Sequence, residues 1–250
     1  MSSTITLRDA DRILPLYLIC DTSLTMSVSR NGGRRPIDVL NESIDNIFQV
    51  IDKRPPTTVD IHVSVISFNT RASLSREMAA IDSGATMLPL TSSGVTNLAP
   101  ALELFKSRLV IDKKNRGPRS AYRSVAFIMT DGVPTDYPEQ WVPIVRALGE
   151  MPFPPRLIPC ALGKSVPDVF AQLTAAYGTN VGALTNEILS DGKDVAERIA
   201  SLFEKISRTL DAAQAPTTQE EMDATVVAAL TEDRNKAEFS FFRSLYGNYS

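Results

Sequence analysis

A chain of 250 residues is long enough for one generous domain, and folding at this size buries roughly 70–75% of the surface that the unfolded chain exposes. Hydrophobic residues at 43% and charged residues at 22% are globular averages, which argue against disordered, collagen-like and membrane-spanning classes. A formal net charge of -3 supplies no field that steers the chain toward nucleic acid.

Residues 1–12, MSSTITLRDADR, carry acidic groups where a signal sequence has basic ones, and the apolar stretch Ile13–Cys20 is too short to cross a bilayer. The expectation is a soluble, cytoplasmic protein with no membrane span: a short lead over 1–12, a domain over 13–210 and a tail over 211–250. Five apolar runs then alternate with segments of helical period. They are PLYLICD (15–21), VDIHVSVISF (59–68), SVAFIMTD (124–131), RLIPCALG (156–163) and a weaker VGAL (181–184). Near-continuous apolarity suits strands buried on both faces. ASLSREMAAI and ATMLPL, between Phe68 and Thr91, read as an antiparallel edge strand and its return. The predicted class is α/β, a doubly wound, mostly parallel central sheet with one antiparallel edge strand and helices on both faces.

The helices follow in order. Ile37, Leu40, Ile44, Ile47, Phe48 and Ile51 share one face of the first, and Leu98, Leu102, Phe105 and Leu109 one face of the second. A third begins near Asp136, where Asp136 and Glu139 resemble a capping box with Pro138 in the first turn, and Trp141 reads as a packing anchor. Helices near 167–176 and 194–210 complete the domain. After DAAQAPTTQEE (211–221) come a short helical stretch at Val226–Leu230 and an aromatic-rich end containing Phe239, Phe241, Phe242 and Tyr246, which either packs on its own domain or is presented to a partner.

The polar residues at strand ends carry the functional signal. Asp21, Ser23 and Thr25 follow the first strand, and positions i, i+2 and i+4 of an extended segment point to one side. Asp131 ends SVAFIMTD and reaches the same edge if the two strands are neighbours, where doubly wound sheets place their ligand crevice. Thr96 stands just before the second helix, to cap it or to turn its hydroxyl toward that crevice. All five supply hard oxygens, which suit Mg²⁺, Mn²⁺ or Ca²⁺. Cys20 and Cys160 end apolar runs and read as buried hydrophobes, not as a disulfide or metal pair. His62 alternates with apolar neighbours in a strand and reads as structural.

D-x-S-x-T at 21–25, a separate Thr96 before a helix, and T-D-G at 130–132 resemble the metal-ion-dependent adhesion site of the von Willebrand factor A (vWA) domain, in the right order over about residues 13–210. MTDGVPTD further resembles the bacterial tellurite-resistance TerY-type proteins. The resemblance implies that Asp21, Ser23, Thr25, Thr96 and Asp131 surround a divalent cation, and that an acidic side chain of a protein partner completes its shell. It also implies a partner within a stress-response or defence assembly, among tellurite-resistance-type proteins or an associated kinase or phosphatase. One departure from the family pattern is Thr25, where serine is usual. A second is the longer, basic loop SVSRNGGRRPID, whose Arg30, Arg34 and Arg35 form either a solvated surface or a patch for an acidic or phosphorylated partner.

The expected protein is not an enzyme. An aspartate-nucleophile phosphatase places a second acid two residues after its nucleophile, and here that position is Ser23, with no histidine base nearby. No phosphate-binding glycine loop occurs either. The alternatives to a cation-dependent module are a metal-dependent phosphotransferase or phosphatase using Asp21, or a metal-independent scaffold that binds through residues 216–250.

Overall fold

The computed structural model describes residues 12–29, 33–54, 59–82, 84–117, 120–163, 167–177, 194–213 and 218–231. Strands are β1 (Arg12–Asp21), β2 (Val59–Phe68), β3 (Ala72–Ala80), β4 (Val125–Thr130) and β5 (Arg156–Ala161). Helices are α1 (Pro36–Asp52), α2 (Leu98–Asn115), α3 (Pro138–Gly149), α4 (Pro167–Tyr177), α5 (Val195–Ala212) and α6 (Gln219–Thr231). The sheet runs β3-β2-β1-β4-β5, parallel throughout except for the antiparallel β2–β3 pair at one edge. This is the predicted architecture. VGAL at 181–184, Arg30 and the aromatic end with Phe241 and Phe242 lie outside the described residues.

β1 shows why the sheet is covered on both sides. Leu14, Leu16, Leu18 and Cys20 enter one core with residues of α1, α5 and α6, while Tyr17 and Ile19 enter the other with residues of α2, α3 and α4. Alternate side chains of a strand point to opposite faces, so a strand with two apolar faces is stable only between two helix layers. Trp141 is fully buried in the second core, as expected of an anchor. α6 falls in the segment read as tail. It nonetheless packs on the first core through Met222 and Val226, and its Asp223 meets Arg156 at 3.3 Å.

Two local expectations are corrected. ATMLPL forms no strand. Leu90 instead donates its N–H to Asn41 Oδ1 at 2.8 Å and accepts from Asn41 Nδ2 at 3.0 Å, which draws the segment onto α1 and leaves β3 as the edge. Asp136 does not cap α3, whose first residue is Pro138 and whose preceding Tyr137 N–H is accepted by Gln140 Oε1 at 3.0 Å. Its carboxylate turns instead to α2, accepting from Leu98 N at 2.9 Å and Ala99 N at 2.6 Å. Two of the orphan amides at that helix start are thereby satisfied.

Candidate functional site

β1 and β4 lie side by side, with Cys20 paired to Met129 in parallel register, so Asp21 and Thr130 come next to one another at the strand ends. Here the connections leave toward opposite faces of the sheet, and the crevice of a doubly wound fold opens at such a point. The Asp21 carboxylate is fully buried. Its Oδ1 accepts from Ser23 N at 2.7 Å, and its Oδ2 accepts from the hydroxyls of Thr130 at 2.5 Å and Thr96 at 3.5 Å. Burial pushes its pKa up to about 6, against the lowering effect of the Thr130 and Ser23 hydrogen bonds and with a further upward push from the charge of Asp131.

Ser23 and Thr25 reach this point by a different path from the extended one expected. The chain leaves β1 at Asp21, and Leu24–Ser27 close into a 3-10 turn that Ser23 precedes with extended backbone. That turn brings the Ser23 and Thr25 hydroxyl oxygens within 2.9 Å, and Thr25 Oγ1 donates to Asp131 Oδ1 at 2.7 Å. Thr25 is an exposed residue, so the methyl group that distinguishes it from serine does not have to be accommodated in the core. All five residues singled out in the sequence are therefore joined in two hydrogen-bonded sets around the ends of β1 and β4.

The loops that carry them are laced together. Thr22 N donates to Phe68 O at 2.7 Å, Ser93 N to Thr22 O at 2.8 Å, Leu24 N to Gly94 O at 3.1 Å and Thr135 N to Thr96 O at 2.7 Å. Gly94 adopts a φ of 66°, and a Cβ there would stand 2.3 Å from Thr70 Oγ1, so only glycine fits this crossing of loops. Thr130 and Asp136 are the contributors that sequence reasoning missed as parts of this edge. Thr130 is the first residue of the T-D-G that carries the resemblance, in which only Asp131 was given a role. Asp136 acts on the helix that follows Thr96.

A small cleft beside Thr25 and Asp131 is also lined by Arg34 and Asp194. Arg34 pairs with Glu42 at 2.5 Å and Arg35 with Asp38 at 2.7 Å, all on or beside α1. Asp194 Oδ1 accepts from Glu197 N at 2.9 Å and caps α5. Among the described residues, no three His, Cys, Asp or Glu side chains cluster as a metal site. Any cation held here depends on hydroxyl oxygens beside the two carboxylates. Such a donor set fits a hard divalent cation, since every donor in it is an oxygen and none is sulfur or imidazole.

Comparison of the whole fold places it among known ones. The PilB minor pilin of Streptococcus sanguinis superposes with a TM-score of 0.58 at 12% identity, over 80% of this chain and 61% of the pilin. A von Willebrand factor type A protein from Catenulispora acidiphila gives 0.55 at 14% identity, over 79% of this chain and 42% of that one. The SpRpn10 VWA domain gives 0.51 at 10% identity, over 75% and 94% respectively. The fold is that of a vWA domain. No family model matches the sequence, and no curated protein matches it. At these identities the likeness establishes the vWA fold alone, and this chain spans less than two thirds of the pilin and of the Catenulispora protein.

Outside the site, His62 sits in β2 with its Nε2 2.9 Å from Asp60 Oδ2. Cys20 and Cys160 are free and buried, and burial raises both thiols above their ordinary range. A buried thiol held neutral is neither a nucleophile nor a metal ligand.

Proposed function

We propose that this vWA-fold protein is an interaction module, not an enzyme, in which Asp21, Ser23, Thr25, Thr96 and Asp131 hold a divalent cation. When bound, the cation supplies a positive centre that captures an acidic side chain of a partner protein. The observation that carries this reading is the meeting of two carboxylates and three hydroxyls at one sheet edge, in two sets linked by hydrogen bonds of 2.7–3.5 Å. Asp21 holds its place through Ser23 N and Thr130, and the 3-10 turn holds Ser23 and Thr25 beside Asp131. A carboxylate so fully buried and so engaged suits holding an ion better than attacking a substrate.

The surroundings support a protein partner. Leu24, Val28, Val95, Val133 and Tyr137 are all solvent-exposed, and each lies on one of the loops that carry the site residues. Exposed apolar groups gathered around a polar centre mark protein-binding surfaces. The partner feature that fits is an aspartate or glutamate with apolar neighbours. Two free buried cysteines suit a reducing, cytoplasmic setting. No helix among the described residues is long and apolar enough to cross a membrane. The narrower assignment, to a TerY-type role in a tellurite-resistance, stress-response or defence assembly, rests on MTDGVPTD and belongs to the same proposal. Mg²⁺ is the favoured ion, with Mn²⁺ and Ca²⁺ as competitors for the same oxygens.

The test is calorimetric titration of Mg²⁺ and Mn²⁺ into the protein and into Asp21→Ala. Saturable binding that weakens at least tenfold in the variant is the expected result. Equal binding by both proteins rejects the assigned site. A partner isolated with the protein is expected to be released by EDTA, and phosphoester turnover abolished in Asp21→Asn would favour the phosphotransferase alternative.

A further inference from the structure

At the other end of the sheet from Asp21 and Asp131, a cavity of about 500 Å³ opens between the start of β1, the last turns of α2, residues 120–124 and the loop from α3 to β5. Cavities of this size take ligands as large as a mononucleotide. Its charge is one-sided: Arg12, Lys113, Arg116 and Arg123 line it against one carboxylate, Asp112. That carboxylate is already committed, since it accepts the Tyr17 hydroxyl at 2.9 Å and pairs with Arg108. Arg123 has Asp223 at 3.7 Å, whereas no carboxylate among the described residues forms an ion pair with Arg12, Lys113 or Arg116.

Hydrogen-bonding capacity is skewed the same way. Arg116 Nε and Gln219 Nε2 are buried without an acceptor among the described residues. Both residues line the cavity, and an acceptor placed there would satisfy them. Beside these donors stand two aromatic rings, Tyr122 buried in the core and Phe153 open to solvent. Arg12 lies over the Tyr122 ring at 5.2 Å, and the Lys113 ammonium lies over the Phe153 ring at 5.0 Å, with Phe153 77% exposed. A guanidinium stacked on a ring keeps its N–H edge free for an anion. An inorganic ion would use the donors and leave the exposed surface of Phe153 uncovered.

We propose that this cavity binds a small organic anion of the nucleoside monophosphate class. Its phosphate is held by Arg12, Lys113, Arg116 and the Gln219 amide, and its flat body lies against the exposed Phe153 ring. The site is separate from the cation centre and needs no metal.

Adenosine monophosphate, adenosine and inorganic phosphate are titrated calorimetrically into the full chain in the presence of EDTA. Saturable binding of adenosine monophosphate is expected, with adenosine and phosphate each at least tenfold weaker. The double variant Lys113→Glu/Arg116→Glu is expected to weaken binding at least tenfold, while Asp21→Ala leaves it unchanged. Phe153→Ala, at an exposed position that does not threaten folding, is expected to weaken it severalfold, and thermal melts check that each variant is folded. The proposal is overturned by failure to saturate at millimolar concentrations, by phosphate binding as well as the nucleotide, or by unchanged affinity in a folded variant at Phe153. A single-stranded oligonucleotide that binds far more tightly than the mononucleotide, and loses that affinity in the same variants, also overturns it in favour of a nucleic-acid surface.

Discussion

The Thr25 hydroxyl donates a 2.7 Å hydrogen bond to Asp131 Oδ1 across 106 residues of sequence, tying the turn after β1 to the end of β4. A threonine here keeps the oxygen that a serine would supply. Thr25→Ser is therefore expected to leave Mg²⁺ or Mn²⁺ affinity within about threefold, while Thr25→Val, which keeps the shape and removes the oxygen, lowers it at least tenfold. Calorimetry on the two variants decides the matter, and equal affinities would remove Thr25 from the site.

Asp21 gives a pH dependence with a definite sign. Its folded pKa of about 6 stands above the ordinary 3.8, so the native state holds the proton more tightly than the unfolded chain does. The stability that this group contributes is fully present below about pH 4 and is lost as pH rises through about 6, on the order of 3 kcal/mol in all. Asp21→Asn carries no such penalty. In EDTA, urea denaturation should show the variant gaining on the wild type from about pH 4 to about pH 7, and saturating Mg²⁺ should restore the wild type at the upper end. A difference that stays constant with pH would show that the buried carboxylate is not the source.

The strands and the two carboxylates at their ends were legible because each rests on a local pattern, whereas the order of the strands was not. LYLIC is apolar on both faces and must be sandwiched, and a strand so buried leaves its first polar residue, Asp21, at the edge. The same logic applies to Asp131 after VAFIMT. ATMLPL misled because short apolar stretches look alike whether they pair in a sheet or dock on a helix, and the decision came from Asn41, far off in the chain. The roles of Thr130 and Asp136 at this edge escaped notice for a related reason. Their partners, Asp21 and the first amides of α2, are distant in sequence and become neighbours only when β4 lies beside β1. The 3-10 turn at Leu24–Ser27 was likewise invisible, since alternating hydroxyls suit a strand equally well.

Asp136 is expected to matter through α2. Removing its carboxylate frees the amides of Leu98 and Ala99 at a helix start whose N-cap residue, Asn97, makes no side-chain cap of its own. Asp136→Ala should destabilise the protein by about 1–2 kcal/mol, with Asp136→Asn recovering part of the loss. Because Thr96 lies two residues before Leu98, the alanine variant should also weaken cation binding, which Asp136 does not provide directly. Denaturation curves and calorimetry on both variants test the pair of effects, and a loss of cation affinity with unchanged stability would contradict a capping role.

Gly163 sits where the end of β5 passes the end of β4, and Leu162 N donates to Thr130 O at 2.9 Å beside it. A Cβ at position 163 would stand 1.8 Å from the carbonyl oxygen of Asp131, which is backbone and cannot swing aside. The Arg198 guanidinium, buried on α5, donates to Leu162 O at 2.8 Å and holds the segment from its other side. Gly163→Ala must therefore push the Asp131 backbone away from β5 or strain the Leu162 contacts. Overpacking of this kind costs about 1–3 kcal/mol, and the expected result is a loss in that range together with weaker cation binding, because Asp131 moves relative to Thr25. Full stability and affinity in the alanine variant, measured by urea denaturation and calorimetry, would show that the two strand ends can separate without disturbing the site.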